Sequence, residues 1–150
     1  MLSRSRNPLV PELLVSDLTK SLAFWTELIG FAVRFARTEE GFVYLDRDGA
    51  QLMLEQHDAA RRVWLTDDLA PPFGRGINFQ IEVRDVVPIV LRLAVVGWPL
   101  YLPVEDAWYR ADTLEIGQRQ FLVQDPDGYL LRLAQPLGER PVMVAMGSRG

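Results

Sequence analysis

The side chains able to do chemistry in this chain are few. Three glutamates, Glu12, Glu55 and Glu82, fall on segments that alternate apolar and polar residues, and the only histidine, His57, follows Glu55 by two. Carboxylate and imidazole are donors for a divalent cation, and a buried glutamate can act as a general base. No cysteine is present, which removes thiol nucleophiles, disulfides and sulfur-rich zinc sites. No serine–histidine pair has a visible third member, and no glycine-rich loop has the spacing that cradles phosphate. His57 stands at a strand end beside Asp58, as a surface histidine would. A carboxylate near Arg132 is best explained as a partner for its charge.

Alternate residues of a strand face opposite sides, so register decides which groups meet. In Ile77-Asn78-Phe79-Gln80-Ile81-Glu82-Val83 the apolar set belongs beneath helices, and Asn78, Gln80 and Glu82 point the other way. The same split leaves Gln51, Met53 and Glu55 in one segment, Leu130, Arg132 and Ala134 in another, and Val10, Glu12 and Leu14 in a third. One sheet face therefore gathers Glu12, Glu55, Asn78, Gln80 and Arg132 around Val10, Leu14 and Met53. Such a face is either open to solvent or the wall of a ligand cleft.

The elements that must carry these residues occur twice. Val15-Ser16-Asp17-Leu18 opens a helix, and Val83-Arg84-Asp85-Val86 opens another, an offset of 68 from Asp17 to Asp85. Asp48-Gly49 and Asp127-Gly128 each turn into a closing strand, an offset of 79. Aspartate caps a helix start and glycine (Gly30, Gly97) takes the left-handed stop, so each half reads β-α-β-β-β. The expected fold is α+β: two βαβββ modules forming a curved mixed sheet with an internal cleft. Module one spans about 8–56, a Pro- and Gly-bearing connector 57–75, module two about 76–136, and a tail 137–150 follows. Trp64 lies in the connector and Trp108-Tyr109 in the longer part of module two, expected on loops near the cleft. There they either pack a hairpin or stack on a planar ligand.

The 150 residues suit one domain, 1–150, with a real core. The net charge of −4 is spread without a basic stripe, which excludes a nucleic-acid partner. No apolar run is long enough for a membrane span. The basic start, residues 1–7, has no apolar signal core behind it, and the expected location is the cytoplasm.

Several segments resemble a known family. Val10-Pro11-Glu12-Leu13-Leu14-Val15-Ser16-Asp17-Leu18, Ser21-Leu22-Ala23-Phe24-Trp25, Leu114-Glu115-Ile116-Gly117 and Phe121-Leu122-Val123-Gln124-Asp125-Pro126-Asp127-Gly128 are similar to the vicinal-oxygen-chelate superfamily, which holds glyoxalases, bleomycin-resistance proteins and extradiol dioxygenases. The likeness covers about residues 8–136 and is greatest to bleomycin-resistance proteins.

The resemblance implies metal donors at four positions, here Val10, Met53, Asn78 and Arg132. The repeat offsets map Val10 onto Asn78 and Met53 onto Arg132. Valine offers no donor, methionine suits softer metals and arginine brings a fixed positive charge. The expectation is therefore no metal and no cofactor, and binding rather than catalysis. The ligand would be an amphipathic or heteroaromatic small molecule, held by Glu12, Met53, Glu55, Asn78, Gln80, Trp108, Tyr109 and Arg132. The alternative is a metal-dependent lyase, isomerase or dioxygenase with displaced ligands such as Glu12, Glu55 or Glu82. The resemblance further implies a homodimer that exchanges an N-terminal arm near Pro11, with the cleft built within one chain or between two. Between Gly117 and Phe121 the chain is shorter than the family's loop and lacks its tryptophan, which argues against bleomycin itself.

Overall fold

Helix α1 (Leu18–Ala23) begins where Asp17, in extended backbone, sets its carboxylate 3.2 Å from the Lys20 N–H and satisfies an orphan donor of the helix start. The helix widens into a π-turn over Phe24–Leu28, whose first two residues, Phe24 and Trp25, are buried. It stops at Gly30, where φ is +97°. Helix α2 (Val87–Val95) differs from the expectation at its start: the cap residue is Val86, which makes no side-chain cap bond, and Asp85 lies one residue before it. Asp85 accepts from the Val87 N–H at 2.9 Å, Pro88 sits in the first turn, and Gly97 follows the end with φ +68°. The computed structural model describes residues 6–58, 60 and 64–142. The basic residues 1–5 and the last residues of the expected tail, 143–150, lie outside that description.

The strands are β1 (Glu12–Val15), β2 (Ala32–Arg37), β3 (Phe42–Arg47), β4 (Ala50–Gln56), β5 (Asn78–Glu82), β6 (Leu102–Ala111), β7 (Leu114–Gln124) and β8 (Leu130–Pro141). They form two four-stranded mixed sheets ordered β1-β4-β3-β2 and β5-β8-β7-β6, one βαβββ module each. In both, the opening strand runs parallel to the closing strand. Glu12 lies opposite Met53 in the first sheet and Gln80 opposite Arg132 in the second. These two pairs are related by the same offsets, 68 and 79, that relate the sequence motifs.

One core joins both modules. Leu13, Val15, Leu52 and Leu54 from the first sheet and Ile81, Leu131 and Leu133 from the second pack with Phe24, Trp25, Ile89 and Leu93. Polar clasps cross the same junction. The Trp25 indole N–H donates to Asp125 at 3.2 Å, Ser16 donates through its backbone and hydroxyl to Asp127, and the Tyr129 hydroxyl donates to the Leu14 carbonyl at 2.8 Å. The Asp125-Pro126-Asp127-Gly128 hairpin is thus also the bolt between modules.

Three further expectations are corrected. Ile77 precedes β5 and is 49% exposed, because its N–H closes a turn onto the Gly74 carbonyl rather than continuing the strand. Trp108 and Tyr109 are not on a loop: a long hairpin of β6 and β7 runs through both, and β7 continues past Gly117 with only a bulge at Gly117/Gln118. Strand β8 runs on to Pro141, through the first part of the segment read as tail, because Glu139 and Arg140 pair with Ile116 and Glu115.

Candidate functional site

With Leu13, Val15, Leu52 and Leu54 committed to the core, Glu12, Leu14, Gln51, Met53 and Glu55 take the outer face of the first sheet. Cross-strand pairing extends that face: Tyr44 lies opposite Met53, Phe42 opposite Glu55, Phe35 opposite Tyr44 and Arg37 opposite Phe42. Phe35 stacks on Tyr44 with centroids 4.9 Å apart and planes 17° from parallel, and the Arg37 guanidinium sits 3.9 Å over Phe42. The Tyr44 hydroxyl donates to Gln51 at 2.6 Å, and the Gln51 amide donates to Asp46 at 2.8 Å. The result is an aromatic floor edged by carboxylates.

At one edge the connector folds over β1 and leaves a cavity of about 710 Å³, lined by Glu12, Leu14, Trp64, Phe73, Arg75 and Tyr129 among others. Burial, then the hydrogen-bonded and charged neighbour Glu55, lifts the Glu12 carboxyl to about 7, against a smaller opposing pull from Arg37. A carboxyl that changes protonation near neutrality can accept or donate a hydrogen bond, or neutralise a cationic nitrogen.

The second sheet presents amides where the first presents aromatics. Asn78, Gln80 and Glu82 project from β5 on the face opposite buried Ile81, beside Leu130, Arg132 and Ala134 of β8. On β7 the core residues Phe121 and Val123 turn Gln120 and Leu122 to this face. Gln118 donates to Gln120 at 2.8 Å and to Gln80 at 3.5 Å, while Gln120 donates to Glu105 at 2.9 Å and to the Tyr109 hydroxyl at 2.6 Å.

The structure therefore brings Glu12, Met53 and Glu55 together on one sheet, and Asn78, Gln80, Arg132 and Tyr109 on the other. The 710 Å³ cavity takes Glu12 but none of the second group. Trp108, one residue from Tyr109, points to the opposite face: its ring lies over Gly117, where a Cβ would come within 2.6 Å of it, and the Arg140 guanidinium caps it at 4.0 Å. That ring is committed to packing.

Phe35, Phe42, Tyr44, Gln118 and Gln120 were not foreseen from the sequence. Phe42 to Leu45 are all buried, so no alternation marks which face each takes. The His57 N–H donates to the Val15 carbonyl at 2.8 Å, extending the strand ladder away from the carboxylate pair.

The donor set does not fit a divalent ion of the kind the resemblance implies. Met53 and Arg132 occupy equivalent places in the two sheets, and neither is an oxygen or imidazole donor. Among the described residues no three of His, Asp and Glu converge as a metal would require.

Comparison with solved structures places this architecture. TioX from Micromonospora sp. ML1 shares it at a TM-score of 0.66, with 19% identity over 87% of this chain and 100% of that one. A bleomycin resistance determinant encoded on the transposon Tn5 shares it at 0.56, with 22% identity over 87% and 98%. The fold is thus that of the glyoxalase and bleomycin-resistance proteins. A glyoxalase/bleomycin resistance protein/dioxygenase superfamily member from Vibrio splendidus 12B01 is 37% identical over 85% of this chain and 97% of that one, with a TM-score of 0.38. The chain belongs to the glyoxalase/bleomycin resistance protein/dioxygenase superfamily. No protein-family profile and no curated protein matches it. Among the described residues no helix is long and apolar enough to cross a membrane.

Proposed function

We propose that this chain binds an amphipathic or heteroaromatic small molecule without a metal. The observation that carries the reading is the cavity of about 710 Å³ over β1, which joins the Glu12 carboxyl to aromatic and aliphatic walls. Its size lies within the range of small-molecule sites, and its lining sets apolar side chains beside the charged Glu12, Asp67, Asp68 and Arg75. Glu12, Met53 and Glu55 serve one end of the ligand on the first sheet; Asn78, Gln80, Tyr109 and Arg132 form the second contact surface. Because these surfaces lie on separate sheets, a homodimer that sets one against the other unites them. The arm before β1 lies along its own β4, with Asn7 bonded to Gln51 and Gly49 and the Pro11 carbonyl accepting from Met53. An arm exchanged at Pro11 makes the same contacts across the dimer.

Trp64 is largely exposed and lines the cavity, so its fluorescence reports occupancy. A screen of planar heteroaromatic compounds against chelator-treated protein is expected to yield one that changes this emission and loses affinity in Glu12→Ala. Metal analysis of protein purified without chelator separates the competing reading. A stoichiometric divalent ion that survives dialysis and disappears in Glu55→Ala would establish a metal enzyme in place of a binder.

A further inference from the structure

Arg132 stands apart from the arginines near it. Arg140 also has a buried, unpartnered Nε, but its guanidinium covers Trp108 and its Nη2 pairs with Glu115 at 3.2 Å. Arg119 pairs with Asp106 at 2.8 Å. Among the described residues no carboxylate pairs with Arg132 and no ring lies under it, and its Nε is shut from solvent without an acceptor. An unpaired buried donor is a standing cost, and it calls for an explanation.

The neighbours explain why the acceptor is missing. Gln80, directly opposite on β5, turns its Oε1 toward the Gln118 amide and leaves its own Nε2 as the group on offer. The Gln120 oxygen is taken by Gln118, and Glu105 and the Tyr109 oxygen are taken by the Gln120 amide. These acceptors are turned into the network, and neither they nor Glu82 and Asn78 on the same face reach the Arg132 Nε.

We infer that Arg132, with the Gln80 amide beside it, is built to hold a carboxylate group of the bound molecule. A planar guanidinium matches a carboxylate with two parallel hydrogen bonds, and an adjacent amide N–H adds a third donor. Glu82 projects from the same face of β5, opposite Ala134. A second anionic group extended along the strand meets that like charge, so the fit is to a monoanion. The inference rests on the small-molecule reading above and names the chemistry of one end of the ligand. It also assigns a use to the position where the superfamily resemblance places a metal donor.

The test is a titration of the full chain with sodium acetate, at ionic strength held constant with sodium chloride, following the Arg132 Nε–Hε signal by NMR. A saturable shift with acetate and none with chloride is expected, absent in Arg132→Met. Arg132→Met is also expected to leave the melting temperature of the free protein unchanged or higher. In parallel, quinoline-2-carboxylate is expected to bind at least tenfold tighter than neutral quinoline-2-carboxamide, with the ratio near one in Arg132→Met. Equal effects of acetate and chloride, a tenfold preference surviving in Arg132→Met, or a clear fall in melting temperature in that variant would each overturn the assignment. Acetate binding at Arg132 with no binding of either quinoline would instead uphold the anion site and count against the heteroaromatic reading.

Discussion

The protonation of two carboxyls, Glu12 on the exposed start of β1 and the buried Asp125, ties residue chemistry to stability. Glu12 is lifted to about 7 by burial and by Glu55, and Asp125 to about 6 by burial, against the opposing hydrogen bonds from Trp25, Tyr129 and Asp127. Both values lie above those of an unfolded chain, so the folded protein holds these protons more tightly. Their contribution to stability is full below about pH 4 and is lost as pH rises through the folded-state values of about 6 and 7. Thermal melts at pH 5 and pH 8 should show a smaller loss of melting temperature in Glu12→Gln than in the parent. An equal loss would mean that folding does not raise the Glu12 carboxyl. The carboxylate pair itself was only half legible in sequence. Alternation places Glu12 and Glu55 on one face, but their proximity depends on β1 lying parallel to β4, a pairing between segments some forty residues apart in the chain.

At the scale of elements, what the sequence disclosed was local and what it hid was not. Asp17, Gly30, Asp85 and Gly97 act within a turn of themselves, so the helix ends could be read directly. Strand β6 could not: Leu102–Ala111 is mostly exposed or half-buried, with no alternation to mark a strand, and it is ordered by pairing with β7. The glutamine network follows from that pairing and was equally hidden. The Asp-Pro-Asp-Gly turn is the strongest local element. Gly128 has φ +98°, and a Cβ there would come within 2.7 Å of the Pro72 Cα, a backbone atom of the connector that cannot easily move. Gly128→Ala is expected to cost about 3 kcal/mol, combining left-handed strain with overpacking, measured by denaturant unfolding. Gly49, the equivalent residue of the first module, has φ +95° but no atom within 4 Å of such a Cβ. Gly49→Ala is expected to cost only the strain, about 1 kcal/mol. Equal costs would show that the connector does not press on the second hairpin.

For the whole molecule, one core on the inner faces of both sheets leaves two chemically different outer faces, one aromatic and acidic, the other rich in amides and bearing Arg132. The two halves of the repeat differ most in the side chains they place on these outer faces. The proposed dimer joins those faces, and light scattering at micromolar concentration is expected to give a mass near twice 17.1 kDa. A mass of one chain would leave each face to act alone. The central claim, that the frame binds a small molecule without a metal, is tested most directly by melting temperature. The full chain would be held in chelator with a panel of planar heteroaromatic carboxylates, then again with one equivalent of a divalent ion. The account predicts a stabilising compound in chelator whose effect the ion leaves unchanged. Stabilisation that appears only with the ion present would contradict it.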